Sequence, residues 1–411
     1  MDADGSPPLR VVIFPWLAFG HLLPYMELAE RMASRGHHVS FVSTPRNIAR
    51  LPAPVASAVE LVALPLPRVD GLADGAESTN DVPDDEQGLL MEAFDGLAAP
   101  FADFLAAACA DDGGGGRRRR PDWVIADSFH HWASPAAARH GVPCVALLPS
   151  AAVMAACVEW EAEPFRAVAA GLGKPLVPLG LLPPDPVGAA PSAENKTTTP
   201  PTPSSAGWTP RASISVLYVA LVSEVPLRVD QVHELALGLE LAGARFLWAL
   251  RKPRSSSAAS AAAAILPPGF QERTASRGVV TMGWAPQIAI LEHAAVGAFL
   301  THCGQNSLVE GISAGNPLVM LPIAGDQGPN ARLMEARKVG LQVARDGVDG
   351  SFDRHGVAAA VRAAIVDEET RKVFVANALK LREVVADEEL HERYIDEFIH
   401  QLRLSSPTYQ A

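Results

Sequence analysis

A strand that turns through glycine into a helix constrains this chain more than any other feature. It sits inside residues 284–327, WAPQIAILEHAAVGAFLTHCGQNSLVEGISAGNPLVMLPIAGDQ. Val296-Gly297-Ala298-Phe299-Leu300-Thr301 is a short apolar run that suits a buried strand. His302-Cys303-Gly304-Gln305-Asn306-Ser307 reads as a turn, opening a helix from about Ser307 to Ala314. Gly315-Asn316-Pro317 stops that helix, and Leu318-Val319-Met320-Leu321 is the next strand. A helix that starts at the carboxyl end of a parallel strand aims unpaired N–H groups at whatever lies there, and its dipole favours an anion. Gly304 lets the backbone come close to that anion, while Asn306, Ser307 and the His302 ring add donors. Glu310 falls one turn after Ser307 on the same face, where its carboxylate can accept from two sugar hydroxyls. Trp284 offers a flat face for a base. Together these groups suit a nucleoside diphosphate.

The start of the chain has the same strand-to-helix logic. Residues 10–15, RVVIFP, read as a strand, and Gly20-His21 leads into a helix over 22–34 with Pro24 in its first turn, where proline is tolerated. Gly36 ends the helix, and 38–43, HVSFVS, is a second strand, giving a βαβ opening with a right-handed crossover. His21 thus sits at the carboxyl end of the first strand, where open α/β sheets bind ligands. Asp127 closes the strand 122–127, DWVIAD, at the same edge, with a helix expected over 128–140. Taken alone, His21 reads rather as a solvated or capping residue, and Asp127 equally well as a helix N-cap. Taken together they fit a histidine base oriented by a carboxylate. His130 and His131 read as pocket lining or surface.

Further strands are expected at 61–64, 143–148, 216–221 and 245–250, and 279–282 leads into Trp284. Helices are expected at 89–110, 151–161, 230–241, 331–336, 355–366, 369–386 and 391–403. Residues 70–87 are acidic and turn-rich and read as a surface loop. GGGGRRRR at 113–120 is low-complexity, so its arginines read as a solvated loop. Residues 183–210 are rich in Pro, Ser and Thr and read as a linker.

Composition narrows the classes. The 411 residues carry a formal net charge of −12 and a pI near 5.5, which argues against nucleic acid as a partner. Cys109, Cys144, Cys157 and Cys303 contain no C-x-x-C pair, so neither a zinc site nor a disulfide framework is indicated, and a reduced, cytoplasmic setting is expected. The start MDADGSPPLR is wrong for a signal peptide. The longest uncharged run, 141–158, is broken by Pro143 and Pro149, so no transmembrane segment is expected.

The stretch from Trp284 to Gln327, 44 residues long, closely resembles the donor-binding signature of plant family 1 UDP-sugar glycosyltransferases. The resemblance implies that Trp284 stacks on uracil, that the Ala285 backbone pairs with it, and that Gln287 and Glu310 hold the ribose. It assigns His302, Asn306 and Ser307, with Gly304 beside them, to the phosphates, and Asp326 and Gln327 to the sugar hydroxyls. It also implies that His21 and Asp127 are the catalytic pair. Three departures stand out. Gln305 occupies a position that is usually Trp. Val222-Ser223 replaces Gly-Ser, with Ser223 expected near the diphosphate. Several tens of residues are missing after Pro164. The runs PWLAFGHLLPYMELAERMASRGHHVSFVSTPRN and GLADGAESTNDVP look most like the plant subgroup that adds a sugar to an existing glycoside.

The fold this implies is α/β, of the GT-B type: two Rossmann-like domains facing across a cleft, the first of them shortened. The expected divisions are an acceptor-binding domain (1–182), the linker (183–210), a UDP-sugar-binding domain (211–386) and a last helix (387–411). That helix packs back on the first domain through Tyr394, Ile395 and Phe398. The expected reaction is inverting transfer of a hexose, with UDP-glucose as the favoured donor and UDP-rhamnose the rival. The acceptor is a terpenoid, flavonoid or other glycoside. No metal or other cofactor is expected, since the UDP-sugar is a co-substrate, and a monomer is expected. An alternative is a UDP-sugar- or ligand-binding paralogue with little turnover, suggested by Val222, Gln305 and the shortened segment. A nicotinamide dehydrogenase has little support, because no G-x-G-x-x-G follows the first strand.

Overall fold

The computed structural model describes residues 7–51, 58–83, 86–110, 120–147, 216–221, 227–250, 265–282 and 285–405. These residues fall into two compact units, one running up to Leu147 and including Glu388–Ser405, the other running from Val216 to Asp387. Each is built on an all-parallel sheet. The expected linker 183–210, the helix 151–161 and the region after Pro164 lie outside the described residues.

In the first unit the strands are β1 (Arg10–Phe14), β2 (His38–Ser43), β3 (Val59–Ala63), β4 (Trp123–Asp127) and β5 (Cys144–Leu147), in the order β3-β2-β1-β4-β5. The helices are α1 (Phe19–Ser34), α2 (Pro45–Arg50), α3 (Gln87–Asp95), α4 (Ala98–Cys109), α5 (Ala133–Ala138) and, from the far end of the chain, α13 (Glu388–Ser405). Alternation along β1 explains the layering. Val11 and Ile13 join the apolar cluster under α1 and α13, while Val12 and Phe14 join that under α3, α4 and α5. A strand buried on both faces reads as a continuous apolar run, as VVIF does. The last helix is held by both chemistry types. Ile395, Phe398, Ile399 and Leu402 are buried in the α1 cluster, and Tyr394 is half-buried. The Trp123 indole donates to the Leu402 carbonyl at 3.1 Å, Arg31 pairs with Glu392, and Arg35 pairs with Glu392 and Asp396.

The helix expected over 89–110 is two helices, broken at Gly96-Leu97. A side chain at Gly96 would meet Pro67 at 3.0 Å and the Ala93 carbonyl at 3.1 Å. The segment 70–87 is better tethered than a surface loop. Thr79 donates its N–H to the Leu17 carbonyl at 3.0 Å, Asn47 donates to the Glu77 carbonyl at 2.6 Å, and Arg50 grips both oxygens of Asp81. Burial raises the Asp81 carboxyl, but that two-point guanidinium contact and the N–H of Glu77 outweigh it and hold the group below the usual range.

The second unit has β6 (Val216–Ala220), β7 (Arg245–Leu250), β8 (Gly278–Met282), β9 (Val296–Thr301), β10 (Leu318–Met320) and β11 (Gly340–Gln342), in the order β11-β10-β9-β6-β7-β8. Its helices are α6 (Val229–Ala242), α7 (Phe270–Thr274), α8 (Gln287–Leu291), α9 (Gln305–Ser313), α10 (Gln327–Ala336), α11 (Arg354–Ile365) and α12 (Glu368–Val385). Leu217, Val219, Ala298 and Leu300 face α6 and α11, and the opposite face carries Tyr218 stacked on Phe299 at 5.4 Å. Both sheets are wound in the same way: the chain runs outward along one half, then returns to the middle and runs outward along the other. The strand order reverses between β1 and β4 in the first and between β6 and β9 in the second. Ligands in open α/β sheets bind outside the carboxyl ends of the strands at that reversal.

Candidate active site

In the first unit the reversal brings His21 and Asp127 together. His21 is the third residue of α1, and Asp127 is the last of β4, beside β1. Their contact is 2.7 Å, from Nδ1 to Oδ2. Asp127 is 2 % exposed and caps no helix. Its other partners are the Trp16 N–H at 3.2 Å and the Ser128 hydroxyl at 3.1 Å. Burial raises the Asp127 carboxyl, but the His21 hydrogen bond and charge and the Trp16 N–H outweigh it, so the group lies below the usual range and stays ionised. An ionised carboxylate on Nδ1 fixes the proton there and leaves the lone pair on Nε2. The His21 side chain is 25 % exposed, enough to receive a proton from a bound molecule.

The helix expected over 128–140 begins only at Ala133. Residues 128–132 turn instead, with the His130 N–H on the Asp127 carbonyl and the Ala133 N–H on the His130 carbonyl. The turn serves the aromatic residues. His130 packs within 4.5–5.0 Å of Phe14, Phe94 and Trp132, and burial pushes its imidazole down to about 3, so it stays neutral. His131 is exposed, 3.7 Å from Asp95. Phe129 is 41 % exposed, stacks on Trp16 at 4.9 Å and meets the His21 ring edge to face at 5.8 Å. Trp16 and Phe129 are thus an apolar wall beside the candidate base that motif reading missed.

In the second unit β9 ends at Thr301, and the chain turns through His302, Cys303 and Gly304 into α9. Cys303 is left-handed, with φ of 68°, and is held by its N–H on the Thr301 hydroxyl at 3.1 Å. Gly304 is the N-cap residue with an ordinary φ of −62°. Its lack of a side chain matters for another reason: a Cβ there would press into the His302 ring. Asn306 and Ser307 lie in the first turn of α9, where backbone N–H groups are unpaired by the helix.

Gln287 and Glu310 meet. The Gln287 amide donates to Glu310 Oε2 at 2.6 Å and to the Ser307 hydroxyl at 3.3 Å, while its oxygen accepts from the Tyr218 hydroxyl at 3.4 Å. Burial raises the Glu310 carboxyl, and the Gln287 bond offsets only part of that, so the group stays above its ordinary value. The Gln305 side-chain oxygen is buried with no partner among the described residues. Asp326 and Gln327 open α10. Gln327 Oε1 accepts the N–H groups of Ile323 at 2.8 Å and Ala324 at 3.0 Å, leaving the NH₂ to face other partners. Ala285 lies just before Pro286, the N-cap of α8. Ser223, Val222 and Trp284 lie outside the described residues. Two further residues join the site unannounced by any motif. Tyr218 touches Gln287, and Asn330, four residues after Asp326 on one helix face, touches it at 3.2 Å.

Two parallel sheets wound alike, each with candidate site residues at its reversal point, define a protein of the GT-B architecture. Comparison with solved structures agrees. The Arabidopsis thaliana UGT89C1 complexed with UDP-L-rhamnose superposes with a TM-score of 0.74 over 97 % of this chain and 100 % of that one, at 23 % identity. The Glycyrrhiza uralensis UGT73P12 complexed with glycyrrhetinic acid 3-O-monoglucuronide gives 0.78 over 97 % and 96 %, at 19 % identity. The family model described as UDP-glucoronosyl and UDP-glucosyl transferase matches residues 205–391. UDP-glycosyltransferase 91D2 of Stevia rebaudiana is 35 % identical over 473 positions, covering 97 % of this chain and 96 % of the relative. The Soyasaponin III rhamnosyltransferase of Glycine max is 31 % identical over 97 % and 96 %. The chain therefore belongs to the plant UDP-glycosyltransferases, enzymes that transfer sugar from a UDP-sugar to plant metabolites. The alignment with the Stevia protein is longer than the 411-residue chain, so that relative carries residues with no counterpart here. Among the described residues no helix is long and apolar enough to cross a membrane.

Proposed function

We propose that this enzyme transfers a hexose from UDP-glucose, with inversion, to a sugar hydroxyl of an existing plant glycoside. The observation that carries the mechanism is the 2.7 Å contact between His21 and a buried, ionised Asp127. His21 Nε2 takes the proton of the acceptor hydroxyl as its oxygen bonds the anomeric carbon. Asp127 keeps the ring in the right tautomer and stabilises the imidazolium that results. The bond from that carbon to the UDP oxygen breaks, and the leaving diphosphate carries the electron pair. Its growing charge is met by His302, by Asn306 and Ser307, and by the N-terminus of α9. Nothing in this sequence of steps calls for a metal. Gln287 and Glu310 hold the ribose, and Asp326 and Gln327 the hexose.

A glycoside acceptor is supported by the name of the Glycine max relative, since a saponin already carries sugar. The same name keeps UDP-rhamnose as the rival donor. We place the enzyme in the cytoplasm as a monomer, with Trp284 stacked on uracil and Ser223 near the diphosphate. Mass spectrometry of products from UDP-glucose and UDP-rhamnose, each offered with pooled plant glycosides, tests the reading. A hexose added to a glycoside supports it, and a deoxyhexose or addition to aglycones alone would replace it.

A further inference from the structure

We infer that Asn330 is a positioning residue that ties the His302–Gly304 turn to the Asp326 carboxylate, so that the groups serving diphosphate and sugar keep one fixed spacing. This rests on the reading of that surface as a UDP-sugar site.

Asn330 lies on α10 and is 2 % exposed. Its amide nitrogen donates to the Cys303 carbonyl at 3.1 Å and to Asp326 Oδ2 at 3.2 Å. A side-chain amide has two N–H groups, so this pair of contacts uses its full donor capacity. Both acceptors are unusual. Cys303 holds a left-handed backbone at φ of 68°, uncommon for a residue with a Cβ. The turn keeps that shape because it is gripped from both sides: the Cys303 N–H by the Thr301 hydroxyl at 3.1 Å, the Cys303 carbonyl by Asn330. Thr301 is 0 % exposed, so neither grip competes with bulk water. The second acceptor, Asp326, has no side-chain cap bond to hold its carboxylate over α10. Asn330 supplies that hold.

The neighbouring Gln327 is fixed in its turn by the N–H groups of Ile323 and Ala324. The start of α10 therefore presents an acceptor-only carboxylate beside a donor NH₂. Adjacent hydroxyls of a hexose, each both donor and acceptor, match such a pair. Asn330 aims the acceptor half, and through Cys303 it registers that half against the diphosphate turn.

Calorimetry of UDP and of UDP-glucose with the full chain tests this, in wild type, Asn330→Ala, Asp326→Ala and the double variant. Asn330→Ala is expected to weaken UDP-glucose about tenfold more than UDP, the scale of one hydrogen bond to a charged group. Asp326→Ala should lose the same sugar-dependent preference, and the double variant no more than Asp326→Ala alone. A residue that only fills space would lower the melting temperature and leave the ratio of the two affinities unchanged. That result, or losses that multiply independently in the double variant, would overturn the inference. Asn330→Asp gives a second arm should Asn330→Ala not fold. It sets two carboxylates side by side, which raises their affinity for a proton. Lowering the pH then restores an O–H donor, and UDP-glucose affinity should recover relative to UDP; no recovery would overturn the inference. Failure of wild type to bind UDP at all would instead remove the donor-site reading beneath it.

Discussion

Gly304→Ala separates folding from donor binding. The φ and ψ of Gly304, −62° and 145°, are ones alanine adopts freely. The fold cost is therefore only that of a poorer N-cap residue, about 1 kcal/mol. The added methyl, however, would push into the His302 ring, against Nε2, with Cε1 and Cδ2 at 3.1 and 3.2 Å. His302 is 6 % exposed, so the ring has little room to yield without leaving its place. On the proposed role of His302 at the diphosphate, displacing its ring should weaken UDP by about 1–3 kcal/mol, or about 5- to 150-fold. Calorimetry with UDP, paired with thermal melts, reads both numbers. The decisive control is His302→Ala. With the ring gone the three atoms nearest the methyl go with it, so adding Gly304→Ala should cost almost no further UDP affinity. Unchanged UDP binding in Gly304→Ala, or an equal loss in the His302→Ala background, would refute the argument that Gly304 is there to seat the ring.

Two more substitutions test the charged groups. Asp127→Asn should lower turnover about 10²- to 10⁴-fold by stranding the His21 tautomer, with UDP affinity near wild type. The folded-state pKa of Asp127 lies below its unfolded value, so its stabilising contribution is present above about pH 3.9 and is lost as pH falls through the folded value. Melts of Asp127→Asn should accordingly lose part of the acid-side slope, and an unaltered slope would contradict the assignment. Glu310 is shifted the other way, so its contribution is full below about pH 4.3 and is lost as pH rises through the folded value. Glu310→Gln should therefore melt higher than wild type at pH 7 but not at pH 4, while binding UDP more weakly by about 1–3 kcal/mol. A lower melting temperature at pH 7 would count against it.

The strands and the site turns were legible because they are written in local chemistry. VVIF, HVSFV and VGAFLT are apolar runs bounded by Gly, Pro or polar turns, and they became β1, β2 and β9 at nearly the expected residues. The turn after Asp127 was not legible. Its sequence permits helix, and packing of His130 and Trp132 against Phe14 and Phe94, with the turn's own backbone bonds, holds it open. The short strand β11 and helices α2, α7 and α8 are three to six residues long, too brief to show a period. α10 starts at Gln327 rather than near Ala331, because Pro329 falls in a first turn where its missing N–H costs nothing. In the candidate site, the residues proposed for the donor come from one signature, and the pairing of His21 with Asp127 followed from strand-end positions. Tyr218 did not follow, because its partner comes from another element and carries no spacing rule; Asn330 stands at a readable i,i+4 spacing from Asp326, but its second partner, Cys303, is on another element. The doubled winding of the two sheets left no residue repeat between the halves, since topology repeats without residues repeating.

The proposed role of His21, held by Asp127, is to take the acceptor proton in sugar transfer from a UDP-sugar. The most direct measurement is UDP release with UDP-glucose and pooled glycosides, comparing wild type with His21→Ala and recording UDP affinity for both. Wild type is expected to release UDP and form an inverted hexoside product, and His21→Ala to lose transfer, with UDP affinity the same in the two. Transfer by His21→Ala at the wild-type rate would contradict it.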